Sequence, residues 1–136
     1  MNYRPILIVA GEPNSVFLEI FFKALKYKKF KSPIIIIVSQ KLLIKQMKGL
    51  YFDYKINLID KDYKDFKDLS NNKINIINVD HYFQRPFEKI SKKSNTYINN
   101  CFDIALEFLK ENKLSKFING PISKKYFLYG KLPGIT

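Results

Sequence analysis

Cysteine is almost missing from this chain: Cys101 is the single one in 136 residues. That excludes a disulfide framework within the chain and fits a reducing compartment. Histidine is as scarce, with His81 alone, and one histidine cannot build a metal site by itself. Long apolar runs are missing too. Met1-Asn2-Tyr3-Arg4 leads into an apolar run that extends only from Pro5 to Ala10, too short for the core of a secretory signal. No run approaches the roughly 20 residues that span a bilayer. The expectation is a cytoplasmic protein without a membrane partner. Gly-x-Gly-x-x-Gly, Gly-x-Ser-x-Gly, Cys-x-x-Cys and the P-loop spacing are all absent. The common dinucleotide, hydrolase, redox and phosphate-loop signatures therefore do not apply.

What is present is enough apolar material for a core: 46% hydrophobic residues, 15% aromatic. Disorder is excluded on that ground, and the length fits one domain. The formal net charge is +12. A positive field attracts phosphate polymers. Yet Lys, Ile and Asn are abundant along the whole chain, as AT-rich codon usage alone would produce. Small phosphorylated substrates also suit a basic surface and need far fewer contacts. Nucleic acid is therefore the lesser reading.

Pro5 to Ala10 is a continuous apolar run bounded by Gly11, the pattern of a strand buried on both faces. Ser15 can cap a helix carrying Phe17, Ile20, Phe21, Ala24 and Leu25 at helical spacing. Pro33 to Val38 repeats the strand, almost all β-branched. Ser39 can cap a helix through Leu42, Leu43 and Met47, with Gly49 as its stop. Tyr54 to Ile59 alternates and reads as a strand with one covered face. The charged stretch from Asp60 to Asn72 reads as a loop or short helix, and Lys73 to Val79 as another strand. A long helix is predicted from Ser94 to about Asn112, with Ile98, Cys101, Phe102, Ala105 and Leu109 on one face. Lys116 to Asn119 is a last short strand, and Ile122 to Tyr129 reads as helix. This alternation predicts an α/β fold, a mostly parallel sheet flanked by helices. No repeat or linker divides residues 1–136.

Ligands of open parallel sheets bind outside the carboxyl ends of the strands. Two unusual segments fall there. In Gly11-Glu12-Pro13-Asn14, Glu12 can meet a substrate hydroxyl, a metal-bound water or a cofactor ribose; the competing reading is a plain turn with a solvated carboxylate. In Asn119-Gly120-Pro121-Ile122-Ser123-Lys124, Gly120 permits close backbone approach. Ser123 and Lys124 can hold a phosphate or carboxylate at a helix start. His81 reads as a loop residue beside Tyr82 and Phe83, and Cys101 as a packed core thiol. The aromatic and basic mix from Tyr51 to Lys67 reads as half-buried core with a solvated face.

The two segments together, followed by Gly130-Lys131-Leu132-Pro133-Gly134-Ile135-Thr136, resemble the 4-hydroxythreonine-4-phosphate dehydrogenase family. That family opens with a strand and a Gly-Asp/Glu-Pro turn. It later carries (Thr/Asn)-Gly-Pro-x-x-Lys and then Gly-x-Pro-x-Gly-His-Thr-Glu. The resemblance implies NAD- or NADP-dependent oxidation and decarboxylation of 4-phosphonooxy-threonine in vitamin B6 biosynthesis. It implies a divalent metal (Zn, Mg or Co), held by residues beyond 136, that stabilises charge on the alcohol oxygen. It also implies a homodimer, a two-domain fold like that of isocitrate and isopropylmalate dehydrogenases, and Thr136 as a substrate-binding residue. Glu12 and Lys124 are taken as substrate-binding with it, and all three, each following a predicted strand or its adjoining turn, are expected on the same side of the sheet at carboxyl strand ends. The catalytic and cofactor-binding residues are not identified.

The chain departs from the family at three places. After Pro13 the family runs Ala-Gly-Ile-Gly-Pro-Glu, where this sequence has Asn14, Ser15, Val16, Phe17, Leu18 and Glu19. The substrate-binding His-Thr pair falls on Ile135 and Thr136. The sequence ends there, so it is expected to be the N-terminal, incomplete α/β region of a longer two-domain enzyme, inactive by itself. A parallel sheet cut short is expected to leave an unpaired, apolar edge such as Ile34 to Val38 or its neighbours. The competing functions are a member that has lost its chemistry and acts as a binding subunit, and a small basic nucleic-acid-binding domain.

Overall fold

A computed structural model describes residues 4–83 and 94–122. Five parallel strands form one sheet: β1 (Ile6–Val9), β2 (Ile34–Val38), β3 (Ile56–Ile59), β4 (Ile74–Asn78) and β5 (Phe117–Asn119), in the order β3-β4-β2-β1-β5. Among the described residues β3 and β4 are joined without an α-helix, and three α-helices lie in the other connections: α1 (Phe17–Tyr27), α2 (Gln40–Gly49) and α3 (Asn95–Asn112). The chain builds outward from β1 to β3, returns to insert β4, and then crosses the opposite face to add β5 beyond β1.

The strands are apolar on both faces because both faces are covered. Ile8, Ile36, Val38 and Ile76 pack under α1 and α2 with Phe21, Phe22, Leu43 and Met47. Leu7, Val9, Ile35, Ile37 and Ile77 pack under α3 with Tyr97, Ile98, Cys101, Ala105 and Phe108. β2 is the central strand of this arrangement: all five of its residues are buried, and it pairs with β1 and β4. The expectation of Ile34 to Val38 as an open edge is therefore wrong. Among the described residues the outer strands are β3 and β5, where Leu58 and Ile118 are half exposed.

Several local expectations shift. Ser39 caps α2, its hydroxyl accepting from the Leu42 N–H at 3.2 Å. Ser15 stands one residue before the α1 cap position, Val16, and accepts from the Phe17 N–H at 3.2 Å. α2 ends at Gly49, as expected, but the left-handed residue that closes it is Tyr51, φ 62°, not the glycine. The buried stripe of α1 is Leu18, Phe21 and Phe22, while Ile20 faces solvent. On α3, Tyr97 and Phe108 are buried in place of Phe102 and Leu109, which are only partly covered. β3 begins at Ile56, and Tyr54 instead donates its hydroxyl to the Phe22 carbonyl. Residues 60–73 contain only a single 3-10 turn at Phe66–Asp68. The predicted helix from Ile122 to Tyr129 lies, apart from Ile122, outside the described residues.

One buried polar residue locks the sheet. The Asn75 amide donates to the Ile34 and Ser70 carbonyls at 3.0 and 2.9 Å and accepts from the Asn57 side chain at 2.9 Å. With its capacity used this way, it sits in β4 without the penalty of an unsatisfied amide.

Candidate functional site at the carboxyl ends of the strands

β1 and β5 are neighbours, so the turns that leave them lie side by side. Both need glycine. Gly11 has φ 79°, and a β-carbon there would come within 2.5 Å of the Pro121 carbonyl oxygen. At Gly120 it would come within 2.0 Å of the Ala10 carbonyl oxygen. Backbone hydrogen bonds then stitch the turns: Gly120 N–H to Val9 O and Glu12 N–H to Pro121 O, both 2.7 Å. Two segments over a hundred residues apart in sequence become one structure.

Glu12 sits at the seam and is only 4% exposed. Its Oε1 accepts from the Ser94 hydroxyl at 3.2 Å and from the Asn14 N–H at 3.3 Å. Burial pushes its carboxyl above the usual carboxylate range, and the hydrogen bonds from Asn14 and Ser94 partly oppose that. The solvated-carboxylate reading is overturned: Glu12 ties the β1 turn to the start of α3. From α2, Gln46 donates its side-chain amide to the Pro13 carbonyl at 2.9 Å. The turn is thus gripped from β5, α3 and α2 together.

Beside it lies a second buried group. The Tyr97 hydroxyl accepts from the Ser39 N–H at 2.9 Å, and its ring stands 4.6 Å from that of His81, centroid to centroid. Burial holds the Tyr97 phenol well above its ordinary value. Cys101, on the next turn of α3, has no exposure, and burial pushes its thiol up to about 12. It is a core thiol, as expected, since a nucleophile needs thiolate at working pH. His81 is half-buried in its loop, with Phe83 stacked 6.0 Å away.

Glu12 is therefore placed as expected, at a carboxyl strand end. Ser123, Lys124, Ile135 and Thr136 lie outside the described residues. Sequence reasoning misses the partners that hold Glu12. Ser94 is legible only as a helix start, and Asn14 only as part of the turn.

Two features of the described residues bear on the cofactors that the resemblance implies. No group of three or more His, Cys, Asp or Glu is gathered for a metal among them. The room above Gly11 is filled by Pro121 and Gly120, so the β1 turn offers no open glycine backbone to a dinucleotide pyrophosphate.

No protein-family model matches the chain, and no curated protein matches it. Solved structures do match. A 4-hydroxythreonine-4-phosphate dehydrogenase from Burkholderia phymatum superposes with a TM-score of 0.81 at 20% identity, over 99% of this chain. Its counterpart from Klebsiella pneumoniae gives 0.74 at 18% identity, and a putative one from Salmonella typhimurium gives 0.70 at 18%. The chain shares the fold of the matched part of these structures. The chain spans 42% of the length of each. Among the described residues no helix is long and apolar enough to cross a membrane.

Proposed function

We propose that this chain is the opening part of a nicotinamide-dependent dehydrogenase that acts on a small phosphorylated hydroxy acid. The reading that fits best is oxidation and decarboxylation of 4-phosphonooxy-threonine. The supporting observation is the stitched pair of turns, Gly11-Glu12-Pro13 and Asn119-Gly120-Pro121, set at adjacent carboxyl strand ends in a fold shared with 4-hydroxythreonine-4-phosphate dehydrogenases. The work of this chain in that reaction is positioning. Glu12 and Ser94 fix the β1 turn. The β5 turn, hydrogen-bonded to it, leads directly into Ser123 and Lys124, the candidate anion holders, with Thr136 as the further substrate contact. The nicotinamide and the divalent metal fall, in this reading, to residues other than those described. A homodimer is part of the proposal.

Phe17 motivates a second reading. Its ring carbon Cγ lies 3.0 Å from where a β-carbon on Gly120 would stand, and the resembled family has glycine at this position. An aromatic ring packed against the seam fits a protein that binds the substrate without turning it over.

The test is an assay of the full reading frame with 4-phosphonooxy-threonine, NAD or NADP and divalent metal, beside residues 1–136 alone. Reduced cofactor and carbon dioxide from the full frame, and none from 1–136, is the expected result. Calorimetric binding without turnover by the full frame selects the second reading. Turnover by 1–136 alone, or neither binding nor turnover, sinks both. Within an active enzyme, Ile135→His is expected to improve affinity or turnover.

A further inference from the structure

A parallel sheet sorts its loops: everything that enters a strand lies on one edge, everything that leaves on the other. Each of the five strands here is entered through a cation. Arg4 precedes β1, Lys31 precedes β2, Lys55 precedes β3, Lys73 precedes β4 and Lys116 precedes β5, each within three residues of the strand. All five are exposed. Asp53 is the one acid in those entry positions. The three positions that follow each strand hold Glu12, Asp60, Asp62 and Asp80 against Lys41 and Lys61. Codon bias would load both edges alike. Compensation of helix dipoles explains lysines in the last turns of helices, such as Lys26, Lys48 and Lys110, but not lysines at strand entrances.

Aromatic rings are interleaved with this charge. Tyr27 ends α1 and is 78% exposed, with the Lys26 ammonium 5.7 Å from its ring centre. Tyr51 follows α2 and is 96% exposed. Both helices run back from the carboxyl edge, so both tyrosines emerge at the amino edge. Between the entrances of β2, β3 and β4 lies a groove of about 330 Å³ whose walls include Lys28, Lys29, Phe30, Tyr54, Asn72 and Lys73. The ion pairs formed among the described residues, Lys23–Glu19 and Lys64–Glu111, use none of these cations.

We propose that the amino edge of the sheet is a docking surface for single-stranded nucleic acid. Five strands at about 4.8 Å spacing carry the cations across roughly 20 Å. That is too wide for one small phosphorylated ligand and suited to a backbone with a phosphate at each step. Exposed tyrosines beside lysines provide the stacking faces that single strands use and that duplexes do not offer. The site lies on the edge opposite the seam at Glu12, so it stands whether or not the dehydrogenase reading does.

The test is fluorescence anisotropy with labelled twelve-nucleotide RNA and DNA single strands, a duplex of the same length, and vesicles of anionic lipid as a separate arm. Single strands should bind with an affinity that falls steeply with salt; four engaged cations give a log–log slope of about −3. Lys31→Glu, Lys55→Glu and Lys73→Glu combined should abolish binding, and Lys41→Glu with Lys61→Glu on the other edge should not. Tyr51→Ala should weaken binding roughly tenfold. These exposed changes leave the core alone, and an unchanged thermal transition verifies that. A preference for RNA or DNA names the source within the proposal. No binding at low salt, equal loss from the carboxyl-edge variant, preference for duplex, or binding to vesicles alone overturns it.

Discussion

The two edges of one sheet carry different kinds of polar group. At the carboxyl edge they are buried and tied: Glu12 to Ser94 and Asn14, Tyr97 to Ser39, Gly120 to Val9. At the amino edge Asn71 and Asn75 are tied too, but the cations of the strand entrances, Arg4, Lys31, Lys55, Lys73 and Lys116, are exposed. Arg4 donates to the Asn112 carbonyl and Lys116 to the Ser32 hydroxyl, and the other three stand in water. A buried, fully bonded group has one arrangement, and disturbing it costs free energy of folding. An exposed lysine has many, and changing it costs the fold little. The carboxyl edge is built to hold a geometry and the amino edge to present a charge.

The largest expected effect falls on the seam. Gly120→Ala puts a β-carbon 2.0 Å from the Ala10 carbonyl oxygen, and that oxygen is backbone of the turn that follows β1. The turns must separate, breaking the Gly120–Val9 and Glu12–Pro121 hydrogen bonds. A loss of about 3 kcal/mol or more is expected in urea denaturation. A loss below about 1 kcal/mol would show that the turns are not locked. Tyr97→Phe comes next. It leaves the Ser39 N–H, buried at the cap of α2, without its acceptor, at a cost of about 1–3 kcal/mol. An unchanged denaturation midpoint would remove Tyr97 from the tied set.

Most of this fold is legible in the chain. Continuous apolar runs at Ile6–Val9 and Ile34–Val38 mark strands covered on both faces, and Ser39 marks its helix correctly. Strand order is not legible, because β4 is inserted between β2 and β3 by pairing that no local pattern encodes. An apolar run looks the same at the centre of a sheet and at its edge, so nothing in Ile34–Val38 itself says that it is the most central strand. Glu12 can be found from its turn, but its burial cannot, since Ser94 reaches it from 82 residues away. The lysines show the same limit. Strung along the sequence they look dispersed; only the parallel sheet gathers one from each strand entrance.

Glu12 gives a subtler test, through pH. Its carboxyl is raised by burial in the folded chain, so folding favours the protonated form. The stability this group contributes is full below its unfolded value and is lost as pH rises through the raised folded value. Glu12→Gln keeps an oxygen acceptor for Ser94 and Asn14 and cannot ionise. Its melting temperature relative to the parent should therefore climb as pH rises above the ordinary carboxylate range. A difference that stays flat, or shrinks, would show that Glu12 is stabilised as the carboxylate. Glu12→Ala should be worse than the parent throughout, because two donors lose their partner.

The smallest effects on folding are expected at the amino edge, and their smallness is informative. Lys31→Ala, Lys55→Ala and Lys73→Ala should each change stability by no more than about 0.5 kcal/mol. None of these side chains is buried, and none forms an ion pair with an acid among the described residues. With a formal net charge of +12, removing one cation relieves self-repulsion, so the sign should lean towards stabilisation, more so at low ionic strength where screening is weak. Thermal melts of the three variants at about 20 mM and about 500 mM salt measure this. If the variants are stabilised at low salt and that gain vanishes at high salt, the cations repel one another in the folded chain, and their gathering at one edge needs a partner to account for it. If a variant loses about 1 kcal/mol or more at both salt concentrations, its lysine is part of the packing, and the contrast between the two edges fails at that position.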